Sequence, residues 1–142
     1  MKYQKDLTFG TKYEEIFLNE YINYETYTRP ETINMLYYDF LINNTTKYEI
    51  KADRIAFKTR NLCIELYNYG KPSGLNITQA DYYIYFIINN NNIIRVYKIP
   101  TAVLKELIIS RELKSGGDNR QSKFVLLNID LVKDYIIEKK II

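Results

Sequence analysis

Apolar positions first recur at helical spacing, where Tyr13, Ile16, Phe17, Tyr21 and Tyr24 follow the segment Thr11-Lys12-Tyr13-Glu14. Its Thr and Glu, three residues apart, form a capping-box pattern, which predicts a helix opening at Thr11. Residues 26–33, with Pro30, read as a loop. Met35 to Ile42 reads as a strand, Asn43 to Thr46 as a turn and Lys47 to Ala52 as the returning strand. Asp53 to Arg60 is a basic connection. Asn61 to Tyr67 reads as a third strand, apolar enough to be central, and Tyr69 to Gly74 as a loop.

In the second half, Thr78-Gln79-Ala80-Asp81 reads as the start of a short helix, followed by a strand from Tyr82 to Ile88. The asparagine run Asn89 to Asn92 turns the chain into a strand from Ile93 to Lys98. Pro100 precedes a helix from Thr101 to Ile109 whose apolar face is Val103, Leu104, Leu107 and Ile108. Lys114 to Lys123 reads as a polar loop, Phe124 to Leu127 as a last strand, and Asp130 as the cap of a C-terminal helix striped by Leu131, Val132, Tyr135 and Ile136. The expected class is α/β: an N-terminal helix, a three-strand meander, and a mixed sheet flanked by helices. No internal repeat or linker breaks residues 1–142, so a single domain is expected.

Composition narrows the chemistry more than it names it. The net charge of +3 is compatible with a polyanion partner but does not require one. Tyr, Ile, Asn and Lys all have AT-rich codons, so the 15 tyrosines are weak evidence for base stacking. The absence of histidine removes Ser-His and Cys-His nucleophilic catalysis and His-ligated metals. A single cysteine, Cys63, removes a structural zinc site and an internal disulfide. Cys63 lies in an apolar run and reads as a buried free thiol in a reducing compartment. No apolar run approaches the roughly 20 residues of a membrane-spanning helix, and the first residues lack a secretory pattern. An intracellular protein without a membrane partner is expected, and any hydrolysis must run on carboxylates, lysine and a hard metal.

One place can house such chemistry. Asp39 lies on the first strand of the hairpin, and Glu49 and Lys51 lie two apart on the second, so these two share a face. A two-residue turn at Asn44-Thr45 would set Asp39 opposite Ile50, on the wrong face. A three-residue turn pairing Asn43 with Lys47, or a five-residue turn pairing Leu41 with Lys47, brings Asp39 to the face of Glu49. Asp39, Glu49 and the Ile50 carbonyl then offer hard oxygen ligands to Mg²⁺, with Mn²⁺ as a substitute. Lys51 would orient a water or offset developing negative charge. The bland alternative is an exposed hairpin with solvated Glu49 and Lys51.

A helix bearing Glu14, a strand with Asp39, a strand with Glu49-Ile50-Lys51, a further strand and a helix together resemble the PD-(D/E)XK nuclease superfamily, the restriction-endonuclease-like fold. Gly10-Thr11-Lys12-Tyr13-Glu14 is similar to the glycine and helix-borne glutamate of archaeal-type Holliday junction resolvases. Tyr48 to Arg54, Asn61 to Glu65, Pro72 to Leu75 and Ala80 to Tyr83 resemble small nucleases of phages and large DNA viruses. Tyr38, not proline, precedes Asp39. The resemblance implies a Mg²⁺-dependent DNA endonuclease using Asp39, Glu49 and Lys51, acting as a homodimer and selective for DNA structure. If viral, it would work in the host cytoplasm or nucleus. A restriction-type enzyme and a non-catalytic nucleic-acid-binding module are the alternatives.

Glu14 is either a further metal ligand or a capping residue, Glu65 either faces the site or pairs with Arg54 or Lys51, and Asp81 is either a site residue or a cap partner of Thr78. Arg54, Lys58, Arg60, Lys71 and Ser73 are candidate DNA contacts. So are Lys114, Gly116, Gly117, Asn119 and Lys123, because adjacent glycines let backbone amides approach an anion.

Overall fold

The computed structural model describes residues 2–32 and 37–140. The chain opens with helix α1 (Lys2–Ile16), which widens into π-helical turns over Phe17–Tyr21. Strands β1 (Tyr27–Thr28), β2 (Phe40–Ile42) and β3 (Thr46–Asp53) follow, then the single turn α2 (Ala56–Thr59) and β4 (Asn61–Asn68). Next come β5 (Lys71–Pro72), β6 (Tyr82–Asn89), β7 (Asn92–Pro100), α3 (Thr101–Leu107), β8 (Leu113–Gly116), β9 (Ser122–Asn128) and β10 (Ile136–Lys139).

The strands form two sheets, one of six strands in the order β1-β2-β3-β6-β7-β10 and one of four in the order β5-β4-β9-β8. The large sheet is mixed: β3 runs parallel to β6, and the other neighbours are antiparallel. On one face, Phe40, Ile42, Tyr48, Ile50, Ile84, Phe86 and Ile88 pack under Tyr13 and Phe17 of the N-terminal helix. On the other, Tyr83, Tyr85, Ile87, Tyr97 and Ile99 meet Leu62, Ile64, Leu66, Val125 and Leu127 of the small sheet. Strand β6 is thus covered on both faces, and it reads as an unbroken apolar run from Tyr83 to Ile88.

The α/β class and the mixed sheet are as expected, but the three-strand meander is not. Strand β4 leaves the large sheet and pairs with β5 and β9 in the small one. Its pattern explains this: Leu62, Ile64 and Leu66 are buried while Cys63, Glu65 and Tyr67 are exposed, the signature of a one-sided strand. The central neighbour of β3 is β6. Cys63 is exposed on the open side of β4, not buried.

Other boundaries also move. Thr11 lies inside α1, which starts at Lys2, so there is no capping box at Thr11. Met35 and Leu36 of the expected first strand lie outside the described residues. No helix forms at Thr78, where the Thr78 hydroxyl donates to the Tyr37 carbonyl and accepts from the Ala80 amide. The polar loop from Lys114 is a hairpin, with Lys114 and Gly116 on β8 and Lys123 on β9. The C-terminal segment forms 3-10 turns over Ile129–Tyr135, capped by the Asn128 side chain and kinked at Val132. Ile136 then pairs with Tyr97, covering the edge of β7 that a helix would have left open. No helix among the described residues is long and apolar enough to cross a membrane.

Candidate active site

The site begins with a turn. Ile42 pairs with Thr46 and Leu41 with Lys47, so Asn43, Asn44 and Thr45 form a three-residue loop. Asn43 and Asn44 both take left-handed backbone angles (φ 52° and 56°), which asparagine tolerates better than most residues. The Asn43 side chain accepts from the Glu25 and Thr26 amides and anchors the loop to the preceding segment. The odd length meets the condition set from the sequence, in the register that places Asp39 across from Glu49. Strand pairing stops at Phe40. Beyond it the Asp39 amide donates to the Tyr48 carbonyl at 2.9 Å, and the Asp39 carboxylate accepts from the Ile50 amide at 2.7 Å.

Glu49 and Lys51 project from the same face of β3, with Lys51 Nζ 3.6 Å from Glu49 Oε1. Glu49 is only 15% exposed, whereas Lys51 is 47% exposed and reaches into open space. That space is a cleft of about 350 Å³ between the two sheets, lined by Glu49, Lys51, Glu65, Lys71, Ser73 and Tyr83 among others. A second, smaller cavity of about 150 Å³ is lined by Glu14, Arg29, Pro30, Tyr38 and Asp39.

The electrostatics follow from crowding two carboxyls at a partly dry place. Burial, and then the neighbouring Glu49 charge, push Asp39 up to about 8; Glu14 adds to this, while the Ile50 amide and Lys51 oppose it. Burial also raises Glu49, against the Lys51 charge and a hydrogen bond with Asp39. The pair therefore holds its protons more tightly than two ordinary carboxyls would. Burial disfavours the Lys51 ammonium, but Glu49, Tyr83, Asp39 and Glu65 together outweigh it and hold the amine above its ordinary value. Lys51 is a cation in this setting.

The donor chemistry fits a hard divalent ion of the Mg²⁺ kind, which keeps several waters and takes one or two carboxylates. Two adjacent part-buried carboxyls, both held above their ordinary range, are the arrangement a cation would relieve. No group of three or more acidic or thiol side chains within reach of one ion exists among the described residues.

Glu14 is near enough to influence both carboxyls, but it is paired with Arg29 at 2.6 Å. Arg29 also stacks over Phe40 at 4.5 Å, so Glu14 is held by a fixed cation. Glu65 lines the cleft, where its charge helps keep Lys51 protonated. Asp81 is structural: its carboxylate accepts from the Lys47 amide at 2.8 Å, and its own amide donates to the Lys47 carbonyl.

Of the candidate DNA contacts, Lys71 and Ser73 line the cleft. Ser73 Oγ is buried and has no hydrogen-bond partner among the described residues. Arg54 lies over the Phe9 ring at 4.2 Å, and Lys58 is exposed on α2. Arg60 is elsewhere, paired with Asp130 at 2.8 Å. Lys114 pairs with Glu112 and Lys123 bonds Ser115; with Gly116, Gly117 and Asn119 they belong to the β8–β9 hairpin outside the cleft lining. This hairpin approaches the cleft through Ser122, whose hydroxyl bonds the side chain of Asn68, a cleft residue.

Sequence reasoning missed Tyr83 and Gly74. Tyr83 is in register with Glu49 across the parallel β3–β6 pair, a pairing with no local signal. Gly74 has φ +54°, and a Cβ there would stand 2.3 Å from the Glu65 carbonyl oxygen. The glycine lets the wall of the cleft close on β4. No protein-family model matches this chain, and no curated protein matches it.

Proposed function

We propose that this chain is a Mg²⁺-dependent DNA endonuclease that hydrolyses phosphodiester bonds with Asp39, Glu49 and Lys51. The observation that carries the reading is the convergence of two perturbed carboxyls and a cationic lysine on one face of the β2–β3 hairpin, with Glu49 and Lys51 opening into the cleft between the two sheets and Asp39 into the smaller cavity it shares with Glu14. Asp39 and Glu49, with the Ile50 carbonyl, would hold the ion. When bound, Mg²⁺ supplies charge neutralisation at the phosphoryl group and a more acidic water.

The chain's own residues carry the rest. The Ile50 amide fixes the Asp39 carboxylate, and Lys51 orients Glu49. Because Lys51 keeps its proton, it serves as a cation facing negative charge that develops on phosphoryl oxygens, not as the base that activates water. Lys71, on the small-sheet side of the cleft, would bind further phosphate oxygens. The finer reading is a structure-selective enzyme of recombination or replication, acting inside the cell as a homodimer on branched DNA.

The test is cleavage of labelled duplex, single strand, flap and four-way junction with Mg²⁺, Mn²⁺ or EDTA, beside Asp39→Asn and Lys51→Ala. Metal-dependent cleavage lost in both variants supports the reading, and preference for the junction supports its finer form. Sharp bands at one duplex sequence would identify a restriction-type enzyme instead. Binding without cleavage of any substrate would make it a nucleic-acid-binding module and sink the proposal.

A further inference from the structure

A second charged cavity, of about 240 Å³, lies between β7, β10 and the 3-10 turns. Four cations line it (Arg60, Arg95, Lys133 and Lys139) against one carboxylate, Asp130. Asp130 is already engaged by Arg60 at 2.8 Å. Arg95, Lys133 and Lys139 make no ion pair with any described residue.

Three observations say that this is more than a solvated basic surface. Arg95 and Lys139 are direct cross-strand partners, so two like charges stand side by side on one face, an arrangement that destabilises a sheet unless something offsets it. Arg95 Nε is shut off from solvent and has no acceptor among the described residues, and an unsatisfied buried donor is costly. Arg60 sits just after α2 at φ +61°, a left-handed position where glycine or asparagine would be more stable. The fold holds an arginine there and ties its carbonyl to the Ile129 amide at 2.9 Å.

We propose that this cavity is a binding site for a phosphoryl group. The lining carries four positive charges and one negative, which suits a phosphate dianion better than a carboxylate. Two guanidiniums supply forked donors and the lysines supply point charges. The volume lies below the roughly 300–1,000 Å³ of drug-sized ligand sites, so it suits the phosphoryl end of a larger molecule or a free phosphate.

The site is separate from the Asp39–Glu49–Lys51 cleft. Arg95 is in register with Ile87, and Ile87 with Asp53, two strands away from β3 and four residues along from Glu49. At ordinary strand spacing that is roughly 16 Å between α-carbons. The inference stands without the nuclease reading.

The test uses the full chain in EDTA, so that cleavage plays no part. Calorimetric titration with inorganic phosphate, and anisotropy with a short oligonucleotide carrying either a 5′-phosphate or a 5′-hydroxyl, provide the probes. Wild type should bind phosphate saturably, and Arg95→Met and Lys133→Glu should each weaken binding tenfold or more. Lys133 is exposed, so its variant stays informative if the Arg95 variant misfolds. Asp39→Asn should bind phosphate as wild type does. Preference for the 5′-phosphorylated oligonucleotide would identify a nucleic-acid end as the source. Phosphate binding without that preference would identify a small free anion. No saturable phosphate binding, equal binding of acetate, unchanged binding in the folded variants, or loss of binding in Asp39→Asn would each overturn the assignment.

Discussion

The same substitution, glycine to alanine, should have opposite consequences at Gly74 and Gly10. At Gly74 the new Cβ would lie 2.3 Å from the Glu65 carbonyl oxygen, where ordinary contact begins near 3.4 Å. The segment has little room to retreat: the Ser73 amide and the Asn76 side chain both donate to the Leu66 carbonyl, at 2.9 and 2.7 Å. Glu65 is itself pinned opposite Phe124 in the small sheet. A left-handed conformation costs a residue with a Cβ about 1–2 kcal/mol, and forced overpacking about 1–3 kcal/mol. Gly74→Ala should therefore lose about 2–5 kcal/mol, a fall in Tm on the order of 10 °C for a chain of this size. Gly10 is inside α1 with nothing within 4 Å of where a Cβ would stand, and alanine there should add about 0.5–1 kcal/mol of helix stability. Urea unfolding with unchanged m-values measures both. If Gly74→Ala stays within about 0.5 kcal/mol of wild type, the close approach of the cleft wall to β4 is wrong.

Three further outcomes follow from the charge arrangement. A carboxyl whose folded pKa is raised keeps a proton that the unfolded chain has released, so it lowers stability as pH rises; for Asp39 the window runs from the ordinary carboxylate range up to about 8. In EDTA, wild type should lose stability relative to Asp39→Asn between pH 5 and pH 8, and a pH-independent difference in urea unfolding would refute the raised Asp39 carboxyl. Lys51→Ala should abolish detectable cleavage, at least about 100-fold, while retaining the circular dichroism of the fold; full activity would remove lysine from the mechanism. Arg29→Ala should cost about 1 kcal/mol or less in stability, yet push Asp39 and Glu49 further up by leaving Glu14 uncompensated. Carboxyl NMR titration reads that shift, and unchanged midpoints would show that Glu14 does not act on the pair.

What could be read from the sequence depended on whether the determinant was local. The asparagine turns are local: Asn90 and Asn91 adopt φ 50° and 63° in a two-residue hairpin loop, and Asn43-Asn44 begin the three-residue one. The unbroken apolar run of β6 was equally legible as a strand. Its partner was not, because the β3–β6 pairing bridges more than thirty residues that detour through the small sheet. The stripe Leu131, Val132, Tyr135 and Ile136 has helical spacing, but the exposed edge of β7 outweighs it and draws Ile136 into a strand. The alternation of β4 was visible in Leu62, Ile64 and Leu66. Cys63 and Tyr67, apolar by type, occupy exposed positions beside them and mask that alternation in the run.

The Asp39–Glu49–Lys51 group is hard to explain as a device for stability. Glu49 is largely buried next to a second carboxyl, and the lysine that offsets it is half exposed. One cation faces two acids, and burial with the remaining repulsion holds the Asp39 carboxyl above its ordinary range. Apolar side chains on the same face would pack against Tyr83 and Tyr85 without such a cost, since replacing buried charges by well-packed apolar groups is often neutral or favourable. Perturbed carboxyls in a cleft gather where chemistry or binding demands them. The Ile50 amide strengthens the point: it commits a backbone donor at the end of the β2–β3 ladder to orienting one carboxylate. Past Phe40 the Asp39 amide still donates to the Tyr48 carbonyl, and the Ile50 amide is taken by the Asp39 carboxylate instead of by a backbone carbonyl.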